Sequence, residues 1–436
     1  MRRAFVTDAL FVFVAHTVLC TLVRAHGFDH VSDDDFARVT IAQTFAHSPR
    51  LDPTGTSWLP FPFWFLGSAM AAFGRSLACA RLASIALSSA AAAFVTVALR
   101  ASGATRTSTV VALVLMFLSP WSLWLGASTV PESFTASFAC AAALGLGGPQ
   151  IASIGKPFRF ACAVALFAAC ASRYEPWPVA AVLGVVLLVR ARGGDRSHLG
   201  LLAAIVILGP LAWMAWNLHA HGSMIHFLHR VASYKRAIGD GSTDTPSALL
   251  FYPRLLLRMR ADVVAAFACA LPLLRKPEIR ARWIVPLACI AAELAFLAVG
   301  NARDGAPAHH PERALLGVVF LMAAFSGDAL ANTLPTFFRR ARSATVALTT
   351  VLVVGWIANV RPVFGTPPGT NATEDRAAQI AEGTRLKTEN VTGVVVVPCA
   401  YEHFALMAAY EAPERVEVLP SIGGVVDATC PRVARR

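Results

Sequence analysis

Apolar residues in this chain gather into long runs, near 7 to 24, 81 to 99, 107 to 127, 132 to 149, 158 to 172, 176 to 190, 199 to 217, 256 to 274, 283 to 300, 314 to 334 and 343 to 361. A helix needs about 20 apolar residues to cross the hydrocarbon layer of a bilayer, so these eleven runs predict helices that span or nearly span a membrane. A further stretch, 58 to 76 (WLPFPFWFLGSAMAAFGRS), begins with Pro60 and Pro62 and ends at Gly74 and Arg75. Its status follows from charge.

With the N-terminus inside and 58 to 76 lying along the outer surface, sixteen basic residues between Arg2 and Arg342 fall in inner loops beside only two acids, Asp195 and Glu278. Were 58 to 76 a span, every later basic cluster would move outside, against the positive-inside tendency. The stretch is therefore predicted as an interfacial helix in the first outer loop. After Arg361 the pattern changes: 365 to 370 reads as a linker, 373 to 386 as a polar helix, 393 to 398 as a strand, 400 to 411 as a helix and 416 to 420 as a second strand. The predicted fold class is an all-α polytopic membrane protein of about eleven transmembrane helices, plus the interfacial helix and a small C-terminal α/β extramembrane appendage. Residues 1–361 form the transmembrane domain and 362–436 the appendage.

Composition agrees: 56% of the 436 residues are hydrophobic and 15% charged, and the mean hydropathy is +0.58. The net charge of +12 would suggest nucleic acid in a soluble domain, but here it sits in loops between apolar runs, so nucleic-acid binding is discounted. Of nine cysteines, seven lie in or beside apolar runs, where they read as small buried hydrophobes; Cys399 and Cys430 lie in the polar tail and are candidates for a disulfide. Arg2 and Arg3 precede an apolar run without a small-residue cleavage site after Cys20, which predicts an uncleaved first helix. Arginine supplies 34 of the 38 basic residues, and alanine is abundant. That pattern suggests a GC-rich bacterial genome and hence an inner membrane with a periplasmic active face.

The predicted topology gathers Asp33, Asp34 and Asp35, Glu132, Arg173 to Glu175, the loop 218 to 255 and Asn301 to Arg313 on one outer face. Ser32 followed by three aspartates reads as a helix start, with Ser32 as N-cap and the carboxylates favoured by the helix dipole. Three adjacent carboxylates exceed what capping requires, and crowding can hold one at a pKa suited to general-base work. Glu132 after Pro131 is likewise a good helix start. Glu293, mid-helix, is costly in lipid and is expected to face the bundle interior, with an arginine as a candidate partner. His219, His221, His226 and His229 lack a supporting carboxylate at metal-ligand spacing, so no metal site is predicted.

Val31-Ser-Asp-Asp-Asp-Phe36 resembles the acidic motif in the first outer loop of the GT-C superfamily of membrane glycosyltransferases, nearest to the protein O-mannosyltransferase and aminoarabinose transferase group (family 39-like). Asp33 and Asp34, or Asp34 and Asp35 one residue along, would be the acidic pair. The resemblance continues in order through Trp58-Leu-Pro-Phe-Pro62, Phe73-Gly74, Arg81, Ser119-Pro120, Thr129-Val-Pro-Glu132 and Arg173-Tyr-Glu175, and covers most of residues 1 to 330. His310-Pro-Glu-Arg313 is similar to a motif of lipid-linked mannosyltransferases, with proline in place of its lysine.

The resemblance implies an enzyme that moves a sugar from a polyprenyl-phosphate donor to an acceptor hydroxyl on a glycan, lipid or protein, with inversion. It implies Asp33, Asp34, Asp35 and Glu132 as catalytic carboxylates, Arg173, Arg313 and His310 as donor-phosphate residues, and Trp58, Tyr174, Glu175 and Glu312 as cavity lining. No organic cofactor is implied, and a divalent cation is left open. G-x-G-x-x-G and P-loop signatures are absent from the sequence, in keeping with a lipid-linked donor. A transporter or flippase is the alternative, and it predicts ionisable residues near the midplane of several helices.

Overall fold

Within hydrocarbon a backbone must satisfy its own N–H and C=O groups, so apolar runs become helices. The computed structural model describes residues 2–55, 57–149, 155–193, 195–237, 245–305, 310–338, 375–391, 393–398 and 400–419. The run at 343 to 361, the linker at 365 to 370, His309, Cys399 and Cys430 lie outside the described residues.

In chain order the helices are α1 (Arg2–Ala25), α2 (Asp34–His47), α3 (Phe61–Phe73), α4 (Leu77–Ala101), α5 (Arg106–Phe117), α6 (Pro120–Ala127), α7 (Glu132–Gly147), α8 (Lys156–Cys170) and α9 (Trp177–Ala191). They continue as α10 (Arg196–His221), α11 (His226–Ala237), α12 (Thr245–Met259), α13 (Ala261–Ala270), α14 (Pro277–Ala302), α15 (Leu316–Phe338), α16 (Ala377–Thr388) and α17 (His403–Tyr410). Four described helices, α1 from Phe5, α4, α10 and α14, are each long and apolar enough to cross a membrane, and the bent pair α5 and α6 makes a fifth. The molecule is an integral membrane protein. Described residues do not supply the full set of eleven separate spans, and two predicted runs are broken.

The run 107 to 127 is not one span: α5 and α6 meet at 75°. Pro120 cannot continue a helix through its missing N–H, and Ser119 starts a new one, its Oγ accepting from Ser122 N while Ser122 Oγ donates to Met116 O at 2.6 Å. The run 256 to 274 is also interrupted: α12 ends at Met259, Arg260 breaks the helix, and α13 gives way to a 3-10 turn at Leu271–Arg275. The segment 218 to 255, expected as a loop, is largely helical, since α11 and most of α12 lie within it.

The bundle is wound around α7. Of its sixteen residues only Phe138 escapes full burial, and most are alanine, serine, glycine or cysteine. Small side chains let helices approach closely, which is how apolar helices gain packing energy where lipid removes the hydrophobic drive. α7 packs against α4, α8, α14 and α15, while α1 packs on α4, α5 on α15, and α10 on α8 and α9. α1 leaves Val6, Leu10, Phe11, Val14 and Val18 exposed along one side, a face suited to lipid.

α3 is 13 residues long, which at 1.5 Å per residue is about 20 Å and too short to cross. Pro60 and Pro62 flank its first residue, Gly74 ends it with φ +100°, and Phe61 N donates to Ala171 O at 3.0 Å. The expected non-spanning helix is therefore present, anchored on the turn between α8 and α9.

In the tail, α16 and α17 flank two parallel strands, β1 (Val395–Val397) and β2 (Val416–Val418), paired Val395 to Val416 and Val397 to Val418. This matches the predicted order of elements. The tail does not stand apart: Phe404, Met407 and Tyr410 of α17 share one apolar cluster with Phe36, Val39, Leu66 and Met70 of α2 and α3. Gln43 Nε2 donates to Ala408 O at 2.8 Å, and Arg75 grips Glu414 with both terminal nitrogens.

Candidate active site

Four helix ends meet at one end of the bundle: the starts of α2, α7 and α15 and the turn between α8 and α9. Each brings a charged residue that the sequence singles out. The three adjacent aspartates have three different environments, because successive residues at a helix start point about 100° apart.

Asp35 is engaged by backbone N–H groups. Its Oδ2 accepts from Val31 N (3.0 Å) and Ser32 N (3.4 Å), and its Oδ1 accepts from Thr129 N (2.8 Å). It thus fastens the residues that precede its own helix and ties them to the segment leading into α7. Ser32, expected as the N-cap, does not cap through its side chain: the cap position is Asp33, and Ser32 Oγ is buried without a partner. Asp33 is also engaged, accepting from Arg376 Nε at 2.8 Å and Nη2 at 2.9 Å, a fork supplied by the residue before α16. Its side chain is 11% exposed and that of Asp34 is 32% exposed, so Asp34 is the carboxylate of the three with an open side.

Asp34 Oδ2 accepts from Arg313 Nη2 at 3.2 Å. Arg313 comes from the 3-10 turn Pro311–Leu315 that precedes α15, and its Nη1 lies 3.8 Å from Glu132 Oε1. Glu132, the first residue of α7, stands 2.9 Å from Arg173 Nη1. Arg173 in turn grips Glu175 through Nε at 3.1 Å and Nη2 at 2.5 Å. Asp34, Arg313, Glu132, Arg173 and Glu175 therefore form one chain of alternating charge. Burial acts to raise the Asp34 carboxyl, but Arg313, Arg38 and Arg173 outweigh it and hold it below the usual 3.8. Burial opposes charge on Arg173, yet Glu175 and Glu132 raise its guanidinium further above its ordinary value.

The remaining predicted residues line the surroundings. Tyr174 OH donates to Ser57 O at 2.6 Å and accepts from Trp213 Nε1 at 3.1 Å, while its ring stacks on Phe227 at 4.6 Å. Trp58 stacks on Phe63, and the Arg38 guanidinium lies 4.4 Å over its ring. His310 adopts φ +51° and packs near Trp121, and Glu312 is half-buried with no ion pair among the described residues. Glu293 is buried as expected, but among the described residues no arginine pairs with it; it lies so close to Gly317 that an added Cβ there would sit 2.5 Å from Oε1. Among the described residues no group of three or more His, Cys, Asp or Glu side chains is arranged to hold a metal ion.

Two arginines of this site are missed by sequence reading. Arg38 carries a signal, since it lies four residues after Asp34 and hence on the same helix face. Arg376 carries none, because it reaches Asp33 across 343 residues.

No family model and no curated protein sequence matches this chain. Among solved structures, the chain superposes on ArnT from Cupriavidus metallidurans bound to undecaprenyl phosphate with a TM-score of 0.58, at 16% identity over 95% of this chain and 88% of that one. Against ArnT from the same organism in the apo state the TM-score is 0.51, at 16% identity over 94% and 74%. The chain thus shares its fold with ArnT over 95% of its length.

Proposed function

From that shared fold, we propose that this chain is a membrane glycosyltransferase that moves a sugar from a polyprenyl-phosphate carrier to an acceptor hydroxyl. The observation that carries the reading is Asp34, a partly exposed carboxylate held ionised by arginines at the end of the bundle where α2, α7 and α15 meet. An ionised carboxylate can take the proton of an acceptor hydroxyl as its oxygen attacks the anomeric carbon, on the face opposite the phosphate, with inversion. The leaving phosphate is a stable anion, so cationic surroundings serve it better than a general acid.

In this reading Asp34 is the base, Arg313 aims it, and Glu132 with Arg173 and Glu175 holds Arg313 in place. Asp33 and Asp35 fix the loop through Arg376 and the backbone of Val31, Ser32 and Thr129. Trp58 and α3 roof the cavity at the membrane surface. ArnT, which has the same fold, was captured with undecaprenyl phosphate, and this supports a polyprenyl phosphate as donor carrier. The arginine-rich inner loops support an inner-membrane setting with this end of the bundle facing the periplasm.

The test is turnover by the purified protein in lipid with a panel of radiolabelled polyprenyl-phosphate sugars. Asp34→Asn is expected to lower transfer or release by at least the ~10² to 10⁴-fold of a general base, while leaving expression intact. Full activity in Asp34→Asn, or no turnover of any donor by folded wild type, would overturn the proposal.

A further inference from the structure

Arg38 is 2% exposed, and its Nε and Nη1 are buried without a hydrogen-bond partner. Trp58 covers one flat side of its guanidinium at 4.4 Å, with Phe63 5.7 Å away. The charges that act on it are those of the site: Glu132 and Asp34 attract it, Arg173 and Arg313 repel it. Those carboxylates are already contacted by Arg173 and Arg313, and Arg38 forms no ion pair with any described residue.

A buried guanidinium without an ionic partner is unfavourable, because its hydration is lost and nothing replaces it. Burial shifts its proton affinity down to about 10, so it remains charged at neutral pH. Of the two other arginines expected to bind phosphate, Arg173 grips Glu175 and touches Glu132, and Arg313 is ion-paired to Asp34 through Nη2 with Nη1 3.8 Å from Glu132, so both already face carboxylates. What Arg38 offers is a planar edge whose N–H groups match two oxygens of a phosphate, with an aromatic face fixing the plane.

We infer that Arg38 binds the phosphate of the lipid-linked donor and takes up the charge of that phosphate as it leaves. This rests on the proposed glycosyltransferase reading and assigns the anion-binding role within it. In transfer the bond from acceptor oxygen to anomeric carbon forms while the bond from that carbon to the phosphate oxygen breaks. The acceptor proton passes to Asp34, and the electron pair of the broken bond stays on the phosphate, which gains one negative charge. Arg38, on the same face of α2 as Asp34, meets that charge, and the empty fork is filled in the bound state.

The experiment measures thermal unfolding of the full chain in detergent and lipid against rising undecaprenyl phosphate, undecaprenol and inorganic phosphate. For wild type, undecaprenyl phosphate is expected to raise the midpoint and undecaprenol to leave it unchanged. Arg38→Gln is expected to weaken the apparent affinity for undecaprenyl phosphate about 10- to 100-fold, the range for losing hydrogen bonds to a charged group. Arg38→Lys, which keeps the charge and the fold but not the fork, is expected to weaken it about 10-fold. A wild-type shift retained undiminished in folded Arg38→Gln, or in Arg38→Lys should the first variant not fold, would overturn the role of Arg38 alone. No wild-type shift with undecaprenyl phosphate would remove the lipid-phosphate reading and this inference together. A shift with inorganic phosphate that is also lost in Arg38→Gln would support the anion site without the lipid's help.

Discussion

Three aspartates in a row are chemically identical, yet Asp33 is clamped by Arg376, Asp35 is consumed by backbone N–H groups, and Asp34 meets Arg313 while keeping an open side. Environment sets their roles. Arg313 and its neighbours hold the Asp34 carboxyl below its ordinary 3.8, so the proposed base stays ionised at neutral pH. A carboxyl depressed in the fold also contributes stability above its unfolded pKa and loses it as pH falls through the folded one. The acid limb of the rate profile is therefore expected below the range of a free aspartate. In Arg313→Gln burial would act on Asp34 with less opposition, and the limb should move to higher pH. Initial rates from neutral to acid pH for both proteins check this, and identical limbs would count against Asp34 as the base. The acidic triplet was legible in the sequence, but which carboxylate keeps an open side was not. A one-residue ambiguity of register cannot be resolved without seeing where Thr129 and Arg376 sit.

At the scale of elements, two features depend on contacts between parts distant in sequence. Pro120 breaks the run 107 to 127, and although a proline in an apolar run is visible in the sequence, the 75° bend depends on Ser119 and Ser122 finding hydrogen-bond partners at the break. The tail was legible as alternating helices and strands, but its clamp on the acidic loop and α2 was not, since Arg376, Gln43 and Glu414 pair across more than 300 residues. Gly383 of α16 tests that clamp, because a Cβ there would lie 2.3 Å from Leu406 O and 2.9 Å from Ala409 Cβ in α17. Gly383→Ala is expected to force the two helices apart at a cost on the order of 1 to 3 kcal/mol, the usual range for overpacking. Tryptic cleavage at exposed Arg385 should quicken, and turnover should fall as Arg376 loosens from Asp33. Wild-type protease resistance with wild-type turnover would mean that the tail does not support the site.

At the scale of the whole molecule, the prediction concerns which side of the membrane carries the cluster. With all nine native cysteines replaced by serine, a single cysteine at exposed Val394 of the tail should react with a membrane-impermeant maleimide added outside spheroplasts, and one at exposed Ser197 in the first turn of α10 should not. The reverse pattern would invert the orientation drawn from the arginine-rich loops.

Apolar runs and basic loops need only length and composition to act, because the bilayer selects for both without regard to neighbours. The sequence therefore determined by itself that this is a helical membrane protein, that 58 to 76 holds a short helix of its own, and that acids gather at one end. Tertiary structure decided the rest: the roles of the three aspartates, the unpaired fork of Arg38 and the hold of Arg376. Those depend on distances between residues hundreds of positions apart, and charge pairing falls off over a few ångströms that no local pattern encodes.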